Sequence, residues 1–276
     1  MDRVLGRGSA VRGDDSAWRQ PVVSRLVVRV VCALLLAAST VGVAGAEPPQ
    51  IYVSLGESGA AGPFIADQLD PLGCFRSDRN YAHLSAAALG LTLRDASCSG
   101  AKIAEAYAPQ PLLFGQANGP QLDAVGADAT IVSVDFGVND FVGDGWSGTA
   151  LATKIAVLLE DIAARAPRAD IFVMGKVQRV RAGGCFPALP IPPPMADRLD
   201  AAVREINALL AAAAAAHGAV FVDVYPGSVG HDACAPEQDR WSEGLVPSAP
   251  AQPLHANAAG HRYEADQLTE AIRQRR

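Results

Sequence analysis

The sequence predicts an α/β fold, a three-layer α/β/α sandwich in which helices cover both faces of a five-stranded parallel sheet. Three observations carry this prediction. Five short segments are almost continuously apolar, which is typical of strands buried on both faces of a parallel sheet. Helical segments, some with apolar residues three and four positions apart, alternate with these strands. The 276 residues, 50% of them hydrophobic and 19% charged, are enough for one large core.

The N-terminus has the pattern of a secretory signal peptide. Six arginines and three aspartates occupy residues 1–29, and an apolar run follows from Val30 to Val43. This run is shorter than the ~20 residues that a membrane span needs, and it ends in the small residues Ala44-Gly45-Ala46. An uncleaved anchor is the alternative. We expect a signal peptide over residues 1–46 and a single secreted domain over residues 47–276, with no membrane span after cleavage.

The first part of this domain contains two predicted strands and one helix. Ile51–Leu55 is an apolar run that ends at Gly56 and predicts the first strand. Tyr81–Leu89 is rich in alanine and predicts a helix, because alanine has the highest helix propensity and Gly90 favours a C-cap. Thr92–Ala96 predicts the second strand.

The middle of the domain repeats the alternation. Ile131–Val134 predicts the third strand, which Gly137 interrupts. Thr149–Ala166 has apolar residues at helical spacing and is followed by Pro167, so we predict a helix there. Ile171–Met174 predicts the fourth strand.

The last part begins with a proline-rich stretch, Pro187–Pro194, which we interpret as a rigid surface loop. A long helix is predicted from Met195 to the glycine at position 218, because apolar residues recur every three or four positions. Ala219–Val224 predicts the fifth strand, and Asn257–Arg275 predicts a final helix.

Four cysteines follow the predicted cleavage site: Cys74, Cys98, Cys185 and Cys234. An even number of cysteines in an exported protein indicates two disulfides. Of the three possible pairings we favour the sequential one, Cys74–Cys98 and Cys185–Cys234, because each then closes a loop-rich segment. A zinc site is the alternative, but no CxxC or HxxxH spacing supports it, and we expect no metal.

The net charge of −6 at pH 7 argues against a nucleic-acid partner, which would need a basic face. Ligands of parallel sheets bind at the carboxyl ends of the strands, so residues there are the candidates for chemistry. Ser58, Gly100 and Asn139 follow the first, second and third strands, and His255 precedes the last helix. Taken singly, these residues are equally typical of a helix cap, a tight turn, an Asx-turn and a structural histidine. His261 falls inside the last helix, where a base is less expected.

In this order Ser58, Gly100, Asn139 and His255 resemble the SGNH (GDSL-type) hydrolase family, and the likeness spans Ile51 to Tyr263. It is most similar to the secreted bacterial lipase/esterase branch, because Pro71–Tyr81 and Ala96–Ala101 match that branch in detail. The resemblance implies the flavodoxin-like SGNH hydrolase fold and supports the sequential disulfides. It implies a small-molecule or lipid ester as the substrate and no metal or organic cofactor. We expect a monomer.

The resemblance also assigns roles. Ser58 is the expected nucleophile of a two-step acyl transfer, and His255 is the expected general base. The N–H of Ser58, together with Gly100 and Asn139, is expected to form the oxyanion hole.

Three positions depart from the family pattern. Glu57 replaces an aspartate, and Gly59 stands where the branch often has an aromatic residue. Gln252 stands where an aspartate usually orients the histidine; we predict that the Gln252 backbone carbonyl accepts from the His255 Nδ1–H instead. These departures keep open the alternative of an impaired homologue that binds an acylated glycan or lipid. A structural cell-envelope protein is a third hypothesis.

Seven apolar residues in loops near the expected site either line an acyl groove or cap the end of the sheet, and we expect short or medium acyl esters as substrates. They are Phe64, Ile65, Phe141, Trp146, Phe186, Leu189 and Ile191.

Overall fold

The computed structural model describes residues 49–276, and the predicted signal peptide over residues 1–46 lies outside the described residues. A parallel sheet of five strands forms the centre of this part of the chain, in the order β4-β1-β5-β6-β7, which confirms the predicted fold class. The strands are β1 (Ile51–Gly56), β4 (Thr92–Asp95), β5 (Ala129–Asp135), β6 (Asp170–Met174) and β7 (Val220–Val222). Two short strands, β2 (Gln68–Leu69) and β3 (Arg76–Ser77), pair antiparallel outside it.

In residues 49–276, four longer helices cover the sheet, and four short helices of four to six residues lie in the loops. The longer helices are α2 (Tyr81–Leu89), α5 (Gly148–Arg165), α6 (Pro193–Ala216) and α8 (Ala258–Arg273). The short ones are α1 (Ser58–Ala61), α3 (Ala104–Tyr107), α4 (Val138–Gly143) and α7 (Tyr225–Ser228). Within the described residues, none of the helices combines the length and hydropathy that crossing a membrane requires.

Alternate residues of the strands face two separate cores, as the pleat of a strand requires. On β1, Val53 packs into the core formed with α5 and α6. Its neighbour Tyr52 packs into the core formed with α2 and α8. Because both faces of the strand are buried, the continuous apolar runs in the sequence are explained by a sheet with helices on each side.

The long helix α6 begins at Pro193, inside the stretch predicted to be a loop. Proline is favoured in the first turn of a helix, because its missing N–H would have no partner there and its fixed φ suits the helix. The proline-rich loop therefore ends one residue before Pro193, at Pro192, which is the N-cap.

Both disulfides have the sequential pairing. Cys74 is bonded to Cys98 and Cys185 is bonded to Cys234, across 24 and 49 residues. The first lies directly beside the carboxyl end of the sheet, because the backbone N–H of Ser99 donates to the carbonyl of Cys74 at 2.9 Å. It therefore fixes the loop that follows β4.

The strand order reverses direction beside β1, which lies between β4 and β5. The chain crosses to one side of β1 to form β4 and to the other side to form β5, so the loops after β1 and β5 separate at the carboxyl edge. Such a switch point leaves a crevice in which ligands bind in open parallel sheets. Ser58, Gly100 and Asn139 all lie in loops or helix starts at this edge.

Candidate active site

Ser58 and His255 contact each other at the carboxyl end of β1. The chain turns sharply after Gly56 so that Ser58 is the first residue of α1, and its side chain is nearly buried. The Ser58 Oγ lies 2.8 Å from the His255 Nε2. A hydroxyl within hydrogen-bond reach of an imidazole nitrogen has the geometry of an activated nucleophile.

The other ring nitrogen of His255 contacts the backbone carbonyl of Pro253, with 2.8 Å between Nδ1 and O. The prediction that the Gln252 carbonyl plays this part is wrong. A carbonyl only accepts, so Nδ1 carries the proton, and Nε2 is left free to accept from the Ser58 hydroxyl.

Local hydrogen bonds explain the difference. The Gln252 carbonyl accepts from the backbone N–H of His255 at 3.1 Å and closes the turn, so it points along the backbone and away from the ring. Leu254 adopts a positive φ of 59°, which brings the imidazole back over the Pro253 carbonyl. The turn is anchored at both ends, since Gln252 N donates to Pro63 O at 3.0 Å and Glu243 N donates to His255 O at 2.9 Å.

Burial lowers the pKa of His255 to about 3. The guanidinium of Arg179 and the ring of His261 contribute to this lowering alongside burial, and the hydrogen bond to the Pro253 carbonyl offsets part of it. At neutral pH the imidazole is therefore neutral, the state in which it can take a proton.

Three residues that line the groove over the Ser58 hydroxyl offer hydrogen-bond donors: Ser58 itself, Gly100 and Asn139. The backbone N–H groups of Ser58 and Gly100 have no partner among the described residues, and Gly100 has a φ of 82°, in the region that favours glycine. The amide Nδ2 of Asn139 donates one hydrogen to the carbonyl of Ala101 at 2.9 Å, which fixes the orientation of the amide and leaves its second hydrogen available. Donors in this arrangement can stabilise a developing oxyanion.

Glu57 joins the two turns that carry these groups. It directly precedes Ser58, and its buried carboxylate accepts from the backbone N–H groups of Val138 and Asn139, both at 2.9 Å. Burial raises the pKa of Glu57, and the nearby ammonium of Lys176 and these hydrogen bonds counteract the shift. The departure from aspartate at this position therefore ties the first residues of α4 to the turn that carries the serine.

Lys176 lies between two buried carboxylates beneath the serine turn. Its Nζ donates to Asp135 and lies 3.7 Å from the Glu57 Oε1, and all three side chains are less than 5% exposed.

A Cβ added to Gly59 would lie 3.2 Å from the Asp135 Oδ2, which is closer than ordinary van der Waals contact. The glycine at position 59 therefore makes room for the Asp135 carboxylate, and a bulkier residue would displace it.

The sequence pattern missed Asp135 and Lys176 as parts of the site. A signal for them exists: Asp135 is the last residue of the apolar strand β5, and Lys176 follows the apolar strand β6 by two positions. Charged residues at the carboxyl ends of buried strands are candidates for the same crevice as the serine.

His261 belongs to the core. It lies in α8, is 1% exposed, and its Nδ1 accepts from the backbone N–H of Tyr81 at 3.2 Å. Burial lowers the pKa of His261 to about 4, so the ring is neutral.

A groove of about 570 Å³ opens over Ser58 and His255. Its far wall is apolar and includes Phe64, while a separate apolar pocket of about 90 Å³ contains Phe141 and Trp146. The other four apolar candidates differ in exposure: Ile65, Leu189 and Ile191 are buried in the core, whereas Phe186 is 60% exposed. Among the described residues, no three His, Cys, Asp or Glu side chains are grouped so as to hold a metal ion.

Comparison with known proteins finds similar sequences and similar structures. Residues 54–263 match the profile of the GDSL-like Lipase/Acylhydrolase family. Lipase 2 of Streptomyces coelicolor is 30% identical to this chain, and the match covers 92% of this chain and 98% of that protein.

Two solved structures are similar over 80% of this chain and 99% of their own length. The extracellular lipase of Streptomyces rimosus is 26% identical with a TM-score of 0.63. The phospholipase A1 of Streptomyces albidoflavus NA297 is 20% identical with a TM-score of 0.65, which shows a shared fold.

Proposed function

Because this chain belongs to the GDSL-like lipase/acylhydrolase family and is thus an ester hydrolase, we propose that it cleaves carboxylic esters outside the cell through a Ser58–His255 dyad. The observation that carries the proposal is the hydrogen-bonded chain from Ser58 Oγ through the imidazole to the Pro253 carbonyl. This chain of contacts supports a neutral base beside the nucleophile, with a backbone carbonyl rather than a carboxylate favouring the tautomer that has its proton on Nδ1.

In the first step the His255 Nε2 takes the proton of Ser58 as Oγ attacks the ester carbonyl. Negative charge develops on the carbonyl oxygen, where it accepts from the N–H groups of Ser58 and Gly100 and from the Asn139 amide. The carbonyl of Pro253 stabilises the imidazolium by accepting from Nδ1–H. The imidazolium then gives its proton to the leaving alcohol, and an acyl-enzyme remains.

In the second step the same groups act on water. His255 takes a proton from a water molecule, the hydroxyl attacks the acyl carbonyl, and the proton returns to the Ser58 Oγ as the carboxylic acid leaves. Together the two steps convert the ester and water into an alcohol and a carboxylic acid, and both residues of the dyad return to their starting state.

Export is supported by the sequence pattern over residues 1–46 and by the two disulfides, which are typical of oxidising environments. The size of the groove and its apolar wall support esters with short or medium acyl chains as substrates.

The function is tested by incubating the purified domain with p-nitrophenyl butyrate and with a fluorophosphonate that labels active serines. We expect release of p-nitrophenol, and mass spectrometry is expected to find the label on the peptide that contains Ser58. Binding of the ester without turnover, and no label on Ser58, would favour the impaired homologue that only binds an acylated ligand.

The pH dependence of the rate is expected to reflect the lowered pKa of His255. The base works only when unprotonated, and its pKa of about 3 lies below the ordinary 6.5, so kcat/KM should stay level as pH falls from 7 to about 5. The rate is measured at the isosbestic wavelength of p-nitrophenol, with near-UV circular dichroism as the control for folding. An acid limb centred near pH 6.5 in a folded protein would contradict the assignment.

A further inference from the structure

Arg179 occupies a central position that the mechanism does not use. It follows β6 by five residues and is half-buried. Its side chain lines the groove over Ser58 and His255, and it also lines the apolar pocket that contains Phe141. It thus lies where the reacting groups and a site for a hydrocarbon chain adjoin.

The guanidinium of Arg179 lacks the partner that nearby arginines have. Arg181 contacts Asp232 at 2.8 Å, and Arg204 contacts Asp200 at 2.8 Å. Among residues 49–276, no carboxylate lies within 4 Å of the Arg179 guanidinium, and no side-chain hydrogen bond from it is formed. An arginine in a cleft has five donors to satisfy, and here they are left to solvent or to a ligand.

The groove itself contains no compensating charge. Its described lining residues are apolar, small or neutral-polar, apart from Arg179 and the neutral imidazole of His255. The adjoining apolar pocket is likewise lined by apolar side chains and Arg179. A permanent cation in such a crevice attracts an anion that enters with the substrate.

The charge of Arg179 also affects the pKa of His255. Arg179 lowers the pKa of His255, so it disfavours the imidazolium that forms when Ser58 attacks. The other titratable groups on this side are the neutral His261, the buried Glu264, whose pKa burial raises well above its ordinary range, and the paired Lys176 and Asp135. Glu57 is the second carboxylate beside Lys176, and neither it nor Asp135 lies within 4 Å of the Arg179 guanidinium, so a substrate anion seated there would offset the effect of Arg179 on the imidazolium.

We propose that Arg179 binds an anionic group, a phosphate or a carboxylate, that the ester substrate itself carries, so that this hydrolase prefers anionic amphiphilic esters. The guanidinium fork matches either anion with two parallel hydrogen bonds, and the apolar pocket beside it accepts a hydrocarbon chain. This inference rests on the proposed ester hydrolysis and names the class of substrate for the same site.

The test compares neutral and anionic esters across matched variants. Wild type, Arg179→Met, Arg179→Lys and the control Arg198→Met are assayed on p-nitrophenyl butyrate and on mono-p-nitrophenyl succinate. A second pair, dibutyroylglycerol and dibutyroylphosphatidylglycerol, carries the phosphate. Arg198 is a suitable control because it is exposed, lies over the Trp146 ring at 4.1 Å and does not line the groove.

With Arg179→Met we expect kcat/KM for an anionic ester to fall about tenfold to a hundredfold, the range of a charge-assisted hydrogen bond. The neutral esters should keep their rate or gain slightly, because the cation that disfavours the imidazolium is gone. Arg179→Lys should rescue part of the loss, and Arg198→Met should change neither class. The anionic ester whose kcat/KM falls with Arg179→Met identifies the bound anion as a carboxylate or a phosphate.

Equal losses on neutral and anionic esters would mean a structural role and overturn the proposal, as would no preference for either anionic ester in the wild type. Failure of the proposed function is distinguished by a second readout: calorimetric binding of each of the two anionic esters to Ser58→Ala, with and without Arg179→Met. Binding that weakens with Arg179→Met supports the anion site even without turnover, and binding that is indifferent to it contradicts the site.

Discussion

Replacing Ser58 with alanine is expected to lower kcat for ester hydrolysis by a factor on the order of 10⁴ to 10⁶. The Oγ is the only group within hydrogen-bond reach of the His255 Nε2 in the described structure. Its loss removes the proposed nucleophile, which is also the atom that would carry the acyl group. The change deletes one oxygen from a small side chain, so the melting temperature should stay close to that of the wild type. Initial rates on p-nitrophenyl butyrate measure the loss.

Ser147→Ala is the matched control, because this serine caps α5 away from the groove. It should cost about 1 kcal/mol of stability and leave kcat unchanged. His255→Ala should lose nearly as much activity as Ser58→Ala, and the double variant should lose no more than either, since the two residues act as one unit. A Ser58→Ala protein with more than about one per cent of wild-type kcat would refute the dyad.

Replacing Lys176 with methionine is expected to lower the free energy of unfolding by about 3–5 kcal/mol, because it leaves two buried carboxylates without their cation. Asp135 is 3% exposed and Glu57 is 1% exposed, and the Lys176 Nζ contacts the first and lies 3.7 Å from the second. Denaturation by guanidinium, monitored by circular dichroism, measures the loss.

Lys102→Met is the matched control, since Lys102 is exposed and its loss should change stability by less than about 0.5 kcal/mol. Removing all three charges together, with Glu57→Gln, Asp135→Asn and Lys176→Met, should restore part of the stability, because no uncompensated charge stays buried. If Lys176→Met unfolded at the same denaturant concentration as Lys102→Met, the contacts of Lys176 with Asp135 and Glu57 would not contribute measurably to the free energy of unfolding.

The sequence was sufficient to predict the fold and the three candidate residues that share one edge of the sheet. The strands are predictable because burial on both faces makes them continuously apolar, as in β1, where Tyr52 and Val53 face different cores. Ser58, Gly100 and Asn139 could be placed at one edge because parallel strands end at the same edge of a sheet. Spacing and topology predict this shared edge, whereas the expected roles of these residues came from the resemblance to the SGNH (GDSL-type) hydrolase family.

The orientation of His255 and the charges beneath the serine could not be predicted in this way. The backbone carbonyl that accepts from the His255 Nδ1, that of Pro253 rather than Gln252, depends on the positive φ of Leu254. Leu254 is not a glycine, and no sequence signal predicts that conformation for it. The contact between Asp135 and Lys176 depends on the register of β5 against β6, in which Val134 pairs with Val173. Register is a property of packed strands, so the sequence of either strand alone does not contain it.

The contact between Ser58 and His255 joins residues 197 positions apart, one just after the first strand and one just before the last helix. Glu57 ties Ser58 to Asn139, and the Asn139 amide is tied to Ala101, so the nucleophile and the oxyanion donors are already joined without the C-terminal segment. In the proposed mechanism the base therefore arrives last, when the turn that ends at His255 docks. A chain shortened before this turn would lack the proposed base, and it would also lack α8, whose Ala265, Leu268 and Ile272 pack in the core behind the sheet.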